Sequence, residues 1–167
     1  METQHAKGSA RLLHLSVGGC VTAVGETFAP HALGGLLHAR SRTPVLLYPA
    51  LPGEQALGLP APPPLAPQLR GNPASLRLVV LDATWRKSRK MLYQNAQLQG
   101  LPRLALAALP ASRYLIRKAH APGQLSTLEA SCHALAQLDS EVQVQPLLDA
   151  FDAFVAHFQR TSGRIGS

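Results

Sequence analysis

The chain has 167 residues, and its 16 Lys and Arg outnumber its nine Asp and Glu, which gives a formal net charge of +7 and a pI of about 10.1. This length suits a single domain over residues 1–167, and the excess of cations favours a polyanionic partner such as nucleic acid. The two cysteines form neither a disulfide framework nor a CxxC pair, so we expect no bound metal.

The N-terminal stretch METQHAKGSARLLHL lacks the apolar segment of a secretory signal peptide. No uninterrupted apolar run in the chain approaches the ~18 residues that a membrane-spanning helix needs. We therefore expect a soluble, cytoplasmic protein that is not bound to a membrane.

Apolar patterns predict strands and helices along the first half of the chain. The stretch ARLLHLSV predicts a strand, and HALGGLLHAR, which follows Pro30, predicts a short helix. TPVLLYP is a continuous apolar run between prolines, which is typical of a strand that is buried on both faces of a parallel sheet and that ends at Tyr48. Residues 49–75 are so rich in Pro and Gly that we expect a long surface loop without regular structure.

A second strand and a basic helix are predicted next. LRLVVLD has the apolar character of a buried strand that ends at Asp82. From Thr84 to about Gln99, apolar and small residues recur every three or four positions, which predicts one helix. The helix contains no acidic partner for its cations, so a phosphate-binding face is favoured over an ordinary solvated surface. This face consists of Arg86, Lys87, Arg89 and Lys90.

The last third of the chain predicts one more strand and two helices. The strand is RLALAAL, and PASRYLIRKAHAPGQ forms the loop after it. In STLEASCHALAQL, Ser126 and Glu129 have the S-x-x-E spacing of a capping box at a helix start. A final helix has Pro146 in its first turn. It carries an apolar packing stripe of Leu147, Leu148, Phe151, Phe154, Val155 and Phe158.

Strands that alternate with helices predict an α/β fold with a mostly parallel sheet flanked by helices. In such sheets ligands bind beyond the carboxyl ends of the strands, so the candidate site loops follow Tyr48, follow Asp82 and span residues 110–127. The glycine-rich motifs of dinucleotide and P-loop sites are absent. The remaining chemistry lies in Asp82, Thr84 and Trp85, because a carboxylate can accept a proton and an indole can stack on a base or face a cation.

Two separated motifs resemble those of one protein family. LDATW, followed by SRYLIRKAHAPGQLSTLEA, resembles the DTW-domain family, whose motifs are D-x-T-W and a later Y-x-x-R with S-T-x-E-A. The resemblance runs from about residue 8 to the C-terminus. It implies a tRNA-uridine aminocarboxypropyltransferase with a SPOUT-like fold and a trefoil knot near residues 109–127. The implied reaction moves the 3-amino-3-carboxypropyl group of S-adenosylmethionine to N3 of a uridine and leaves methylthioadenosine.

The resemblance also implies site residues. It places Asp82, Thr84 and Trp85 in a first catalytic and cofactor loop. Further cofactor contacts fall on Leu47, Tyr48 and Pro49 and, in the second motif, on Tyr114, Arg117, Ser126, Thr127 and Glu129. The RNA contacts comprise the cationic helix face with Arg117 and Lys118. Alternatives remain, because Ser126 and Glu129 can serve only as a helix cap and Trp85 can be a core residue.

Other functions remain open on the sequence. RNA methylation from the same cofactor would leave S-adenosylhomocysteine instead. A non-enzymatic RNA-binding module would use only the basic helix, with Asp82 as a helix cap. In an enzyme, Asp82 can act either as the base for the uridine proton or as an anchor for the cofactor's ammonium group. Relatives often begin with a cysteine-rich segment, and this chain starts downstream of it, which leaves tRNA binding by this chain alone open.

Overall fold

The computed structural model describes residues 3–49, 58–106 and 125–162. The backbone forms two compact units. The first, here called the sheet unit, comprises residues 22–105, and the second, the helical unit, comprises residues 1–21 and 106–167. Each unit has an apolar core of its own.

The described strands of the sheet unit form a small parallel sheet. Strand β1 spans Thr43–Leu47, β2 spans Leu76–Val79 and β3 spans Arg103–Leu104. Their order is β2-β1-β3, so β1 lies in the centre and pairs in parallel with both neighbours. The predicted α/β class, the parallel sheet and the strands within TPVLLYP and LRLVVLD are therefore confirmed. The predicted end of the second strand at Asp82 is wrong, because β2 ends at Val79, and only Leu76 of this strand is buried. The third strand is confirmed only at its start, because residues after 106 in the predicted stretch RLALAAL lie outside the described ranges.

Helices of the sheet unit bury leucines against the sheet. Helix α2 spans Pro30–Leu37, as predicted, with the proline in its first turn, where no backbone donor is needed. Its two buried leucines join Leu46 of β1 in the core. Each fully buried leucine stabilises the fold by about 1.5–3 kcal/mol. Arg77 of β2 donates to the carbonyls of Leu36 (2.8 Å) and Ala39 (2.7 Å), which fastens the end of α2 to the sheet.

The helix predicted from Thr84 to about Gln99 is two helices, so this prediction is wrong at its centre. Helix α4 spans Trp85–Gln94 and α5 spans Ala96–Gln99. Asn95 separates them in an extended conformation (φ −124°, ψ 90°). Its buried Nδ2 donates to the carbonyls of Met91 (2.7 Å) and Glu26 (2.9 Å), and its Oδ1 accepts the Phe28 N–H at 3.0 Å. The side-chain amide therefore ends α4 and holds the earlier segment beside it.

The Pro-rich loop predicted at residues 49–75 contains some regular structure. Helix α3 spans Pro67–Arg70 and a 3₁₀ turn spans Pro73–Ser75. The expectation of no regular structure is wrong at these residues, because both turns begin with a proline, whose fixed φ suits the first helical position. Residues 50–57 of the loop lie outside the described residues.

The helical unit begins with helix α1, which spans Thr3–Ser16. The strand predicted at ARLLHLSV is therefore wrong. Ser9, Leu12 and Leu13 recur at three- and four-residue spacing and face inward, whereas Leu15 is 72% exposed. A strand would have placed Leu13 and Leu15 on the same face. Contact with two later helices therefore selected the helical spacing over the alternating one.

Those later helices are α6, which spans Thr127–Leu138, and α7, which spans Gln145–Ser162, both close to their predicted positions. The core between α1, α6 and α7 contains Leu128, Cys132, Leu148, Phe151 and Val155, with Leu147 packed beside it. The stripe of α7 is predicted to pack in the core or at a subunit interface, and core packing is confirmed for Leu148, Phe151 and Val155. Phe154 is exposed and so does not lie in the core, and the side chain of Phe158 lies outside the described part of the structure.

Two further expectations concern the chain as a whole. No helix in the described part of the chain is both long and apolar enough to cross a membrane. The knot predicted near residues 109–127 falls on a segment of which only residues 125–127 are described, so the knot and the SPOUT relationship remain predictions.

Candidate functional site

The first motif lies at the carboxyl edge of the sheet. Because the strands are parallel, Tyr48 after β1 and residues 80–85 after β2 emerge at the same edge. The backbone N–H of Tyr48 donates to Leu104 of β3 at 3.2 Å, which fixes the end of the central strand. This is the position in which sequence patterning expected a ligand site, and it lies within the sheet unit.

Tyr48 and Trp85 form an aromatic pair at this edge. Their ring centroids lie 5.8 Å apart with an interplanar angle of 68°, so one ring meets the other edge-on. Tyr48 is buried, whereas Trp85 is 49% exposed. The alternative that Trp85 is an ordinary core residue is therefore wrong. The indole rests on a rigid buried ring and keeps much of its surface accessible to a ligand.

Arg103 is a neighbour of this pair that sequence analysis missed. Its guanidinium carbon lies 5.4 Å from the centroid of the Tyr48 ring, within the range of a cation–π contact. Because Leu46 of β1 pairs with Arg103 of β3, Arg103 lies close to Tyr48, which follows Leu46 by two residues. A lone arginine at the start of a two-residue strand carries no pattern of its own. Only the strand order could have identified it.

The loop between β2 and α4 presents Asp82. Asp82 is exposed and lies at the centre of a sharp turn, in which the Ala83 N–H donates to the Leu81 carbonyl at 3.2 Å. Thr84 is the N-cap of α4, and its hydroxyl oxygen accepts the Lys87 N–H at a long 3.4 Å. The alternative that Asp82 caps the helix is wrong, because Thr84 holds that position.

The four cations of α4 form an exposed surface, as predicted. Arg86, Lys87, Arg89 and Lys90 are all exposed. The helix itself contains no acidic partner for them, as predicted, but the fold supplies one from an earlier segment. Lys90 Nζ lies 2.6 Å from Glu26 Oε2, and both side chains are partly solvated. The hydrogen bond and charge of Lys90, with smaller contributions from Lys87 and Arg86, hold the pKa of Glu26 below its ordinary value.

The described part of the second motif has a folding role. Ser126 Oγ accepts the Glu129 N–H at 3.2 Å, and Glu129 Oε2 accepts the Ser126 N–H at 2.8 Å. Both residues are 2% exposed, so the predicted capping box is confirmed as a buried one. Thr127 is half-buried, and its carbonyl accepts the Ser131 hydroxyl at 2.7 Å. The remaining predicted site residues, Tyr114, Arg117 and Lys118, lie outside the described residues.

The thiols are poor candidates for nucleophiles. Burial, reinforced by the charge of Glu129, raises the pKa of Cys132 to about 11, so this thiol stays protonated near neutrality. Burial also raises the pKa of Cys20. Across residues 3–49, 58–106 and 125–162, no group of three His, Cys, Asp or Glu side chains is arranged to hold a metal ion.

Comparison with known proteins identifies the family of the chain. The DTW domain matches residues 1–159 of the chain. Over 138 residues the chain is 29% identical to tRNA-uridine aminocarboxypropyltransferase 2 of Drosophila melanogaster. The aligned stretch covers 81% of this chain and 51% of the fly protein. The chain thus spans about half the length of that relative. No solved structure matches the chain. The domain match over nearly the whole length shows that the chain belongs to the DTW-domain family.

Proposed function

We propose that this protein is a tRNA-uridine aminocarboxypropyltransferase on a SPOUT-like fold. It moves the 3-amino-3-carboxypropyl group of S-adenosylmethionine to N3 of a tRNA uridine. The observation that carries this proposal is the joint position of Asp82 and the half-exposed Trp85 at the carboxyl edge of the sheet, directly before an exposed cationic helix. Similarity to the fly enzyme supports tRNA as the substrate. Because the chain spans about half of that enzyme, activity of this chain alone is part of the proposal.

The side chains at this edge fit S-adenosylmethionine. The accessible indole of Trp85 suits an adenine ring or a positively charged sulfur, and the carboxylate of Asp82 suits an ammonium group. When bound, the cofactor supplies an electrophilic carbon attached to that sulfur. The other proposed cofactor contacts lie at the end of β1 and in the second motif. They are Leu47, Tyr48, Pro49, Tyr114, Arg117, Ser126 and Thr127.

Asp82 is the proposed base. Uridine N3 carries a proton at neutral pH and is a poor nucleophile until that proton leaves. A carboxylate oxygen of Asp82 would take the N3 proton. The nitrogen lone pair would then form the new N–C bond as the carbon–sulfur bond of the bound cofactor breaks, with methylthioadenosine as the leaving group. The position of Asp82 beyond the end of β2 places this carboxylate at the same edge as Trp85. Its competing role is to anchor the ammonium group, and the two roles differ in their effect on cofactor affinity.

Tyr48 and Arg103 act as positioning residues in this proposal. The buried Tyr48 ring supports the indole edge-on, and the Arg103 guanidinium supports the Tyr48 ring in turn. Aromatic pairs of this kind contribute about 0.5–1.5 kcal/mol beyond the area that they bury. These contacts therefore limit the orientations of Trp85. Orientation matters because S-adenosylmethionine carries several transferable groups, and the enzyme transfers the group whose carbon is aligned with the nucleophile.

The cations of α4 bind the tRNA backbone. Within the described residues, Arg86, Lys87 and Arg89 take part in no ion pair, so their charges face solvent. Phosphate contacts from such residues supply affinity without sequence preference and place the RNA in register. Thr84 holds the first turn of this helix and thereby couples the cationic surface to the motif. Arg117 and Lys118 extend the proposed RNA contacts.

Mass analysis of nucleosides tests the proposal. The 167-residue chain is incubated with S-adenosylmethionine and unmodified tRNA, and the tRNA is then digested to nucleosides. We expect an aminocarboxypropyl uridine together with methylthioadenosine, and neither product with the variant Asp82→Asn. A methylated nucleoside with S-adenosylhomocysteine would instead establish methylation. Binding of tRNA without any modified nucleoside would indicate a binding module.

A further inference from the structure

Helix α4 carries an exposed stripe of two aromatic side chains with an arginine between them. Trp85, Arg89 and Tyr93 recur at four-residue spacing, so they are neighbours along one side of the helix. Trp85 is 49% and Tyr93 is 41% exposed, and Arg89 is exposed as well. We call these three residues the α4 stripe. Only its first two members belong to the predicted site, and Tyr93 has no role in the proposed reaction.

The contacts of the rest of α4 leave the stripe uncovered by the described residues. Ser88 and Leu92 are buried and face the core. On the opposite flank, Lys90 pairs with Glu26, and Gln94 Oε1 accepts the Thr27 hydroxyl at 2.9 Å. One side of the helix is thus used for packing and another holds the segment around Glu26. The stripe lies on the arc between them.

We propose that the α4 stripe binds unpaired bases of RNA, with Tyr93 stacking on a base and Arg89 on a neighbouring base or its phosphate. This rests on the proposed function for the identity of the polymer and adds which part of it is recognised. Aromatic faces that alternate with cations are the combination with which proteins bind single-stranded nucleic acid. The guanidinium of arginine can stack on a base because it is planar, and it can pair with a phosphate because it is charged.

Paired RNA fits the stripe less well than unpaired RNA. Bases inside a duplex are stacked on each other, and protein aromatics reach only those that are splayed out of the stack. Tyr93 follows Trp85 by two helical turns, or about 12 Å along the axis, which is roughly three to four base-stacking intervals. The base on Tyr93 therefore belongs to a different nucleotide from any base at Trp85. The target uridine would lie in a loop rather than within a helical stem.

Electrostatics favours RNA over a protein partner at this surface. The sheet unit contains nine of the 16 Lys and Arg but only three of the nine Asp and Glu. One further exposed cation, Arg86, stands beside the stripe, since it follows Trp85 by about 100° around the same helix. Aromatic residues would serve a protein interface as well, but such interfaces deplete charge at their centre. A stripe that surrounds its aromatics with cations suits a polyanion that also has aromatic faces.

Binding of a labelled oligouridine and of the same strand annealed to its complement tests the proposal. We expect Tyr93→Ala to weaken binding of the single strand roughly 5- to 100-fold, the range for loss of one stacked base, and to leave duplex affinity unchanged. Tyr93→Phe keeps the ring and should bind normally. Arg89→Lys keeps the charge but loses the planar group, so it should weaken the single strand more than the duplex. Phe154→Ala removes an equally exposed aromatic from the helical unit and is the control.

Three results would overturn the proposal. Unchanged single-strand binding by Tyr93→Ala would show that the stripe serves another partner. Equal weakening of single strand and duplex would assign Tyr93 to folding or to a general surface effect. A loss in Tyr93→Phe as large as in Tyr93→Ala would assign the effect to the hydroxyl. Because these titrations contain no S-adenosylmethionine, they separate the stripe from the chemistry. Base stacking without any transfer product would contradict only the proposed reaction.

Discussion

The two units of this protein use their polar residues in different ways. The sheet unit accounts for +6 of the formal net charge of +7, since it holds nine cations and three acids. The helical unit holds seven cations and six acids and is almost neutral. Under the proposed function we therefore expect affinity for a polyanion to come mainly from the sheet unit, although both units carry part of the family motif.

The same contrast separates the two motifs. In the first motif, Asp82 and Trp85 are exposed at the edge of the sheet. In the second, Ser126 and Glu129 are buried and bond to each other as a helix cap. Under the proposed function the first motif serves chemistry, whereas the bonds between Ser126 and Glu129 serve folding, in addition to the proposed cofactor contact of Ser126. Substitutions should separate these roles, since the first motif should affect activity and the second should affect stability.

The largest expected effect is on activity and comes from Asp82→Asn. This change keeps the shape and removes the charge of an exposed residue, so we expect unchanged stability and a loss of activity of about 100-fold or more. If Asp82 is the base, cofactor affinity stays near normal and part of the rate returns as pH rises towards ionisation of the uridine. Initial rates and cofactor titrations over a range of pH measure both.

Other outcomes for Asp82→Asn assign a different role. A parallel fall in cofactor affinity and rate, without rescue at high pH, would make Asp82 the ammonium anchor. Full activity with normal cofactor affinity would show that Asp82 takes no part in the chemistry. It would also contradict the proposal that the first motif serves activity and the second serves stability.

The next effect is on RNA affinity and comes from replacement of Arg86 and Lys87 together by Ala. If each contacts a phosphate, the slope of log affinity against log salt should become shallower by about 0.9 per residue on a duplex RNA. The matched control is Arg40→Ala with Arg42→Ala, two exposed cations that precede β1 and so lie towards the opposite edge of the sheet. Equal slopes for both double variants would show that total charge, and not the α4 surface, attracts the RNA.

A smaller effect compares the caps of the two units. Ser126→Ala removes half of a buried reciprocal box and leaves the Glu129 N–H without its acceptor, so we expect a loss of about 1–2 kcal/mol in the free energy of unfolding. Thr84→Ala removes a long, exposed, one-sided bond and should cost about 0.5 kcal/mol. Denaturant titration measures both. If Ser126→Ala left stability unchanged but weakened cofactor binding, the serine hydroxyl would be assigned to the cofactor site.

The smallest effect is a pH dependence of the Glu26–Lys90 pair. The folded state lowers the pKa of Glu26, so the pair stabilises the protein above the ordinary pKa of 4.5 and the contribution disappears as pH falls through the folded value. Glu26→Gln should therefore lower the Tm slightly at neutral pH and not at all in strong acid. In a Lys90→Met background the same change should have a much smaller effect on Tm, because only the weaker attraction of Lys87 and Arg86 remains. An equally large difference in that background would assign the effect of Glu26 to a partner other than Lys90.

Sequence alone determined the features that depend on neighbouring residues. The capping box of Ser126 and Glu129, the apolar runs that form β1 and β2 and the cationic surface of α4 all follow from spacings of a few positions. The paired motifs were also sufficient to predict the family. These features are local because capping, pleating and helical periodicity each link residues that are close in the chain.

Tertiary structure decided the features that depend on distant residues. Asn95 ends α4 through bonds to a segment 67–69 residues away, and Lys90 finds an acid 64 residues away. Tyr48 meets Trp85 and Arg103 only because β1 lies between β2 and β3. Helix α1 is helical because its inward residues meet α6 and α7. In each case the partner comes from a distant part of the chain, and the spacing of residues along the sequence carries no information about which distant residue that is.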